Sequence, residues 1–269
     1  MPWIASRAGL LAAAAIGALA ILGVSAGHGA TGRPEAARKA QPVRIVKGAG
    51  DITAKVDRFR ELLGPDNGGA PGGRRDGRRE LNWDGVPDEL AAPNALPPSF
   101  FDAKVAPRAR GAVLRTPGDH VAVSADSDNP TGSAVRFGDI NPSYPSQFKT
   151  FSPERLFSPV GSNVVNLRFH VPGTSKRGVV KGFGAVYTDI DRRHNTAFQY
   201  FDARGRSLGK FAVPVSQLGL SFLGVVFRRA RVARVRIEYG SGKLGPNESK
   251  SYDVAVMDDF IYGEPRPIP

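Results

Sequence analysis

The stretch from Leu220 to Gly240, LSFLGVVFRRARVARVRIEYG, decides the fold class. Its first part, LSFLGVVF, is apolar throughout, which predicts a central strand that is covered on both faces. Its last part, ARVRIEYG, alternates apolar and polar residues with the period of two that is typical of a half-buried strand. The predicted inward set is Val235, Ile237 and Tyr239, and the predicted outward set is Arg234, Arg236 and Glu238. The stretch therefore predicts two β-strands in succession.

Similar patterns recur along most of the chain, separated by turns that contain Gly or Pro. The segments are RGAVLRT (110–116), HVAVSA (120–125), NVVNLRFHV (163–171), GVVKGFGAVYTDID (178–191), TAFQYFDARGRSLGKFAVPV (196–215) and DVAVMDDFIYG (253–263). The longest of these reads as a hairpin that turns at residues 203–205. Many short strands with hardly any helix predict an all-β fold, a jelly-roll-type antiparallel β-sandwich with one short N-terminal helix.

The helix is predicted in the segment DITAKVDRFRELLG (51–64). Its apolar residues share one face of a helix over residues 52–63: Ile52, Val56, Phe59 and Leu63. Asp51 can cap the start and Gly64 can end it. A single apolar stripe indicates that the helix packs on the sheet. The Gly-rich segment that follows, at residues 65–77, is predicted to be a loop.

The first residues have the pattern of a secretory signal peptide. Arg7 is their only charge, and no charged or strongly polar residue interrupts Ala8–Val24. The small residues around Ala26 match a signal peptidase site, so we expect residues 1–26 to be removed and the protein to be secreted or held in the cell envelope. The alternative is an uncleaved anchor, because the run approaches the roughly 17–25 residues that span a bilayer. Membrane contact is expected only in that case.

The rest of the chain is predicted to hold one domain. Residues 27–50 lack periodicity and are rich in Gly, Ala, Pro and charge, which is typical of a flexible leader. The β-sandwich domain is predicted to cover residues 51–265, and residues 266–269 are predicted to be a tail. The chain ends at GEPRPIP without a hydrophobic segment.

Composition excludes several classes of function. The chain contains no Cys, which rules out disulfides, thiolate metal sites and cysteine nucleophiles. A bound hard cation such as calcium is then a candidate structural cofactor. The formal net charge is +12, but the Arg residues are scattered and no nucleic-acid-binding motif is present. We interpret the charge as a solvated surface that favours acidic partners, and nucleic acid is not an expected partner.

Several segments together resemble a known family. GRRELNWDGVP, TFSPERLFSPVGSNVV, GFGAVYTDID, LSFLGVVF, VARVRIEYG and VMDDFIYGEP follow one another as in a family of exported bacterial proteins of uncharacterised function, between about Asp51 and Pro265. Many relatives carry a C-terminal sorting tail of the PEP-CTERM type. This chain lacks such a tail, so release is expected rather than anchoring by that route. The chain is also similar, more loosely, to MAM-like and carbohydrate-binding jelly rolls with a DD pair in the last strand. The resemblance implies export and a sandwich, and it assigns no activity.

Paired carboxylates are the candidate metal ligands. Asp189 and Asp191 are two residues apart, so on a regular strand they point to the same side and can approach one ion together. Asp258 and Asp259 are neighbours and face opposite sides, unless a bulge turns both outward. Clustered carboxylates and loop carbonyls suit calcium. The alternative is that these carboxylates pair with Arg residues or cap a turn.

Trp83, with Asn82 and Asp84 beside it, is the candidate ligand-binding group. Sugar-binding surfaces use an exposed aromatic ring flanked by polar side chains. The alternative is that Trp83 packs beneath the rim of the sandwich while Asp84 and Gly85 form a turn.

The leading functional hypothesis is a secreted, non-catalytic β-sandwich that binds a glycan or another cell-envelope component, with calcium as a candidate structural ion. The second hypothesis is a structural or adhesive envelope protein that acts through protein contacts of its Arg-bearing strand face. A carbohydrate-active hydrolase has the least support, because no GxSxG turn is present and Asp189 and Asp191 lack the third acid of an E-x-D-x-E strand. We predict no catalytic residues.

Overall fold

The computed structural model describes residues 43–246 and 252–269. The predicted signal peptide and the first part of the predicted leader lie outside the described residues. The helices are α1, Thr53–Leu63, and α2, Tyr144–Gln147. The strands are β1 Val43–Ala49, β2 Arg78–Leu81, β3 Ala112–Arg115, β4 His120–Val123, β5 Phe157–Val160, β6 Val164–Phe169, β7 Gly178–Val179, β8 Gly182–Ile190, β9 Ala197–Phe201, β10 Ser207–Ala212, β11 Ser216–Phe227, β12 Arg234–Glu238, β13 Val256–Gly263 and β14 Arg266–Pro267. Within the described ranges, neither helix is long and apolar enough to cross a bilayer.

The strands form two large sheets in which every pair is antiparallel. The seven-stranded sheet has the order β1-β11-β8-β13-β5-β4, and β2 pairs with the far end of β13. The five-stranded sheet has the order β10-β9-β12-β6-β3. Eight of these strands have the jelly-roll arrangement, with β5-β13-β8-β11 in one sheet and β6-β12-β9-β10 in the other, so that the chain changes sheet repeatedly. The predicted all-β, jelly-roll-type antiparallel sandwich is confirmed.

The main core lies between the two sheets. Aromatic rings cross it, for example Phe183 against Phe198 at 5.0 Å and Tyr200 against Phe227 at 5.5 Å between ring centroids. Strand β12 has the predicted alternation, since Val235 and Ile237 are buried in this core and the residues between them are not. Burial of such side chains is the main favourable term in the free energy of folding.

Strand β11 is covered on both faces, as its apolar sequence predicts. Leu223 and Val225 join the core between the sheets, whereas Phe222 and Val226 join a second cluster under α1. The predicted apolar stripe of α1 is buried in that cluster, so the helix packs on the outer face of the seven-stranded sheet. The Asp51 carboxylate accepts a hydrogen bond from the Thr53 backbone N–H at 3.1 Å, which holds the start of the helix.

Two glycines make room for the central ring of this helix. Gly184 and Gly224 stand opposite each other in β8 and β11. A Cβ atom on Gly224 would lie 2.4 Å from the Phe59 ring, and one on Gly184 would lie 2.8 Å from it. The ring therefore rests directly on the backbone of the sheet, and the closeness of α1 to the sheet depends on these two residues.

The predicted ends of the domain are wrong. The leader was predicted to extend to residue 50, but Val43–Ala49 form β1, which pairs with β11 over its whole length. This strand lies at the edge of the sheet with most of its side chains in solvent, so its sequence lacks the alternation of a half-buried strand. The predicted tail begins with β14, which pairs with β7.

We predict that Gly224→Ala will destabilise the protein by about 1–3 kcal/mol, because the added methyl group forces the Phe59 ring and α1 away from the sheet. The measurement is urea unfolding. Gly85→Ala is the matched control, since a Cβ atom there meets no atom within 4 Å. Equal stabilities of the two variants would contradict the close packing described here.

Candidate functional site

Asp258 and Asp259 lie in a β-bulge at the middle of β13. Met257 pairs with Tyr187 and Phe260 pairs with Ala185, so two residues of β13 stand opposite the single residue between those partners. A bulge of this kind bends the strand and re-aims its side chains. The sequence predicts that neighbouring carboxylates face opposite sides of a strand unless a bulge intervenes. A bulge is present, and both carboxylates approach the same loop.

That loop carries Phe151 and Ser152. The Asp258 carboxylate accepts hydrogen bonds from the Phe151 N–H at 2.6 Å and from the Ser152 hydroxyl at 2.9 Å. It also accepts one from the Asp259 N–H at 2.8 Å. The Ser152 hydroxyl lies 3.2 Å from the Asp259 carboxylate as well. The two carboxylates therefore share one hydroxyl group in a buried position.

The environment of this pair favours the protonated form. Burial raises the pKa of Asp258 to about 6. Burial, and then the charge of Asp258, raises the pKa of Asp259 to about 8. Glu80 opposes ionisation of Asp259, and the Arg60 guanidinium favours it from 4.0 Å. The pair therefore holds a proton near neutral pH, which is the behaviour of two carboxyl groups that cannot both ionise in one site.

Asp189 and Asp191 do not share one side of a regular strand. Strand β8 ends at Ile190, and Asp189 has a positive φ of 61°, which turns the backbone there. The Asp189 carboxylate is buried and accepts a hydrogen bond from the Leu218 N–H at 2.8 Å, whereas Asp191 is exposed. Burial raises the pKa of Asp189 to about 6.

The sequence prediction missed Asp253, a buried carboxylate near this turn. It accepts hydrogen bonds from the backbone N–H groups of Asp191 and Arg192 at 3.3 and 3.2 Å. Burial raises its pKa. No sequence signal sets Asp253 apart, because its partners lie some sixty residues away.

The predicted metal ligands fall into two separate groups. The bulge with Asp258 stands opposite Val186, three residues or about 10 Å along β8 from Asp189. Within residues 43–246 and 252–269, no three His, Cys, Asp or Glu side chains form a group that could hold a metal ion. The oxygen atoms named above already accept hydrogen bonds from N–H and O–H groups. Calcium binding stays a prediction, and these contacts do not favour it.

Trp83 packs inside the protein, as the alternative interpretation of its motif held. Its side chain is 0% exposed, and its ring stacks on Phe157 with 4.3 Å between centroids. Its indole N–H donates to the Asp258 backbone carbonyl at 2.8 Å. The prediction of an exposed sugar-binding ring is therefore wrong, because Trp83 fills the space that the bulge opens.

The two neighbours of Trp83 hold the surrounding loops. The Asn82 side chain accepts from the Asp84 N–H at 2.8 Å and donates to the Ser152 hydroxyl at 3.1 Å. The Asp84 carboxylate accepts from the Arg155 N–H at 2.8 Å. Ligand binding by Asn82 and Asp84 stays a prediction, since both already have partners within the protein.

Strand β12 creates a different charged surface on the outer side of the five-stranded sheet. Arg234 stands opposite Arg168 on β6 and opposite Phe201 on β9. Its neighbours along the sheet are also polar or basic, and all their side chains are at least partly exposed. We call this surface the arginine face, and it consists of Arg115, Asn166, Arg168, Gln199, Phe201, Lys210, Arg234, Arg236 and Glu238.

The cations of the arginine face are close together and poorly neutralised. The Arg234 guanidinium lies 3.6 Å above the centroid of the Phe201 ring. Burial, followed by the charges of Arg168 and Arg236, lowers the pKa of Arg234. Among the described strand positions of this face, Glu238 is the only carboxylate, and it pairs with Arg236 at 3.3 Å and with Lys210. The face is therefore suited to anions.

We predict that Asp259→Asn will change how stability depends on pH. A carboxyl group whose pKa is raised on folding stabilises the protein fully below its unfolded pKa and loses that contribution as pH rises through its folded pKa. The wild type should therefore lose stability between about pH 4 and pH 8, and the variant, which has no second carboxyl to ionise, should lose less. Urea unfolding at several pH values measures this.

The exposed Asp128→Asn variant is the control, and it should follow the wild type. Identical pH profiles of the Asp259 variant and the wild type would contradict the buried proton-sharing pair.

No protein family model matches the chain, and neither the curated proteins nor the solved structures contain a match. The resemblance to exported bacterial proteins therefore stays a prediction from the motifs.

Proposed function

We propose that the protein is an exported, non-catalytic β-sandwich that binds an anionic glycan of the cell envelope or cell surface on its arginine face. The observation that carries the proposal is the juxtaposition of Arg168, Arg234 and Arg236, whose like charges lie side by side across two strands with one carboxylate among them. Neighbouring like charges destabilise the free protein, and a bound polyanion relieves that repulsion.

The chemistry of the face fits a sugar polymer that carries carboxylates. A guanidinium group offers a planar fork of N–H donors that matches a carboxylate, and Arg is weakly hydrated compared with Lys. The Arg234 guanidinium lies 3.6 Å from the Phe201 ring centroid and donates to the Asn166 side-chain oxygen at 2.9 Å, and these two contacts pre-organise its remaining donors. Asn166 and Gln199 add amide groups of the kind that bind sugar hydroxyls.

The proposed ligand is still a glycan, but its proposed site is the arginine face and not the region around Trp83. The region around Trp83 offers no exposed ring, whereas the face of the five-stranded sheet is not covered by either helix of the described chain. Export is supported by the charge and hydropathy pattern of residues 1–26. An adhesive role through an acidic protein partner is the second hypothesis, and the experiment below separates the two.

We predict that the full chain will bind polygalacturonate, a carboxylate-bearing polysaccharide, and will not bind neutral dextran. Arg234→Gln/Arg236→Gln should weaken binding at the arginine face by tenfold or more, since a loss of about 1.4 kcal/mol of guanidinium–carboxylate contact is a tenfold change in affinity. Binding should also weaken as salt is raised. Isothermal titration calorimetry measures both effects.

Arg74→Gln/Arg75→Gln is the matched control, because it removes two exposed charges from a loop away from the face. Melting temperatures establish that each variant is folded. The proposal would be refuted if the arginine-face variant bound polygalacturonate with both the affinity and the stoichiometry of the control, or if the wild type bound dextran and polygalacturonate equally. Capture of an acidic protein without polygalacturonate binding would favour the adhesive role.

A further inference from the structure

A second basic surface lies on the other side of the sandwich, in a groove between β1 and α1. The groove has a volume of about 750 Å³. Its cationic side chains are Arg44 on the strand and Lys55 and Arg58 on the helix. Lys47 lines the groove only from the strand edge, because it stands opposite Leu223, which faces the main core. Val46 and Leu62 provide apolar surface between them. The edge strand that the sequence did not predict therefore forms one wall of this groove.

Most of these cations have no partner. Arg58 pairs with Glu61 on the same helix at 2.8 Å. In the part of the chain that the structure describes, Arg44, Lys47 and Lys55 form no ion pair. A smaller cavity of about 330 Å³ shares Arg44 and Leu62 with the groove and adds Lys181 and Arg228. Positive charge thus continues along the strand beyond the groove itself.

The groove and the arginine face point in opposite directions. Helix α1 packs on the outer side of the seven-stranded sheet, through Phe222 and Val226. The arginine face is the outer side of the five-stranded sheet, and the main core fills the space between the two sheets. A polymer chain that lies on one surface cannot reach the other without passing around the edge of the sandwich.

We propose that the groove is a second site for a carboxylate-bearing polysaccharide, and that one protein molecule bridges two polymer chains. The bridging rests on the proposed function of the arginine face, whereas binding in the groove does not. The volume is within the range of clefts that bind small molecules in proteins. The Arg44 guanidinium on the strand wall and the Lys55 and Arg58 side chains on the helix wall suit carboxylates, and the apolar surface of Val46 and Leu62 suits the C–H faces of sugar rings.

The test compares short and long forms of one ligand on the full chain. Short oligogalacturonates should bind with a stoichiometry of two, measured by calorimetry. Long polygalacturonate should be cross-linked, which raises the turbidity and the sedimentation rate of the mixture. Arg44→Gln/Lys55→Gln should reduce the stoichiometry to one and abolish cross-linking while binding persists. Arg234→Gln/Arg236→Gln should also reduce the stoichiometry to one and abolish cross-linking, with the groove as the remaining site.

The possible outcomes separate the two proposals. A groove variant that still binds two oligomers, or still cross-links the polymer through self-association, would overturn the second site and leave the arginine face standing. A groove variant that binds no oligomer, with an arginine-face variant that binds as the wild type does, would overturn the proposed function and leave the groove as the single site. Binding of anionic lipid vesicles without binding of either polymer would overturn both.

Discussion

The position of β13 is the constraint on which the rest of the structure depends. This strand pairs with β8 along one edge, and with β5 and then β2 along the other, so three segments from distant parts of the chain meet on it. The change of partner on the second edge coincides with the bulge at Asp258 and Asp259. Trp83 fills the gap from one side and the Ser152 loop closes it from the other. The paired carboxylates thus accept hydrogen bonds from the backbone and side chain of the loop that covers the bulge.

A buried ion pair completes the attachment of β13. The Arg79 guanidinium, which is fully buried, donates to the Glu264 carboxylate at 2.7 and 2.9 Å. It also donates to the backbone carbonyls of Gly68 in the preceding loop and of Ala109, thirty residues farther along the chain. Every such donor bond offsets the desolvation of the pair, and removal of one partner from such a pair typically costs about 3–5 kcal/mol. The motifs GRRELNWDGVP and VMDDFIYGEP therefore contact each other directly, and much of their polar content stabilises the fold.

Local patterns predicted the fold well, whereas the sites depend on register between distant strands. The alternation of β12, the apolar run of β11 and the apolar stripe of α1 each predict an element from neighbouring residues alone. This is possible because each pattern repeats within a few residues. The arginine face required the pairing of Arg168 with Arg234, which no local period encodes. For the same reason the sequence left open whether Trp83 is exposed or buried, since its hydrogen-bond partner Asp258 is far along the chain. The positive φ of Asp189 likewise could not be predicted from the spacing of the two carboxylates.

The order of the strands also determines when the sandwich can fold during synthesis. Synthesis proceeds from the first residue to the last, and β13 is the last long strand, yet its place is inside the seven-stranded sheet between β8 and β5. Until residue 264 has been added, β8 has an open edge, the Trp83 indole N–H lacks the Asp258 carbonyl, and the Arg79 guanidinium lacks the Glu264 carboxylate. The central strand of the seven-stranded sheet is thus supplied last, and its contacts join residues that are far apart in sequence. Proteins dominated by such non-local contacts fold slowly. The seven-stranded sheet can therefore be completed only after the chain has been synthesised, and not during its elongation.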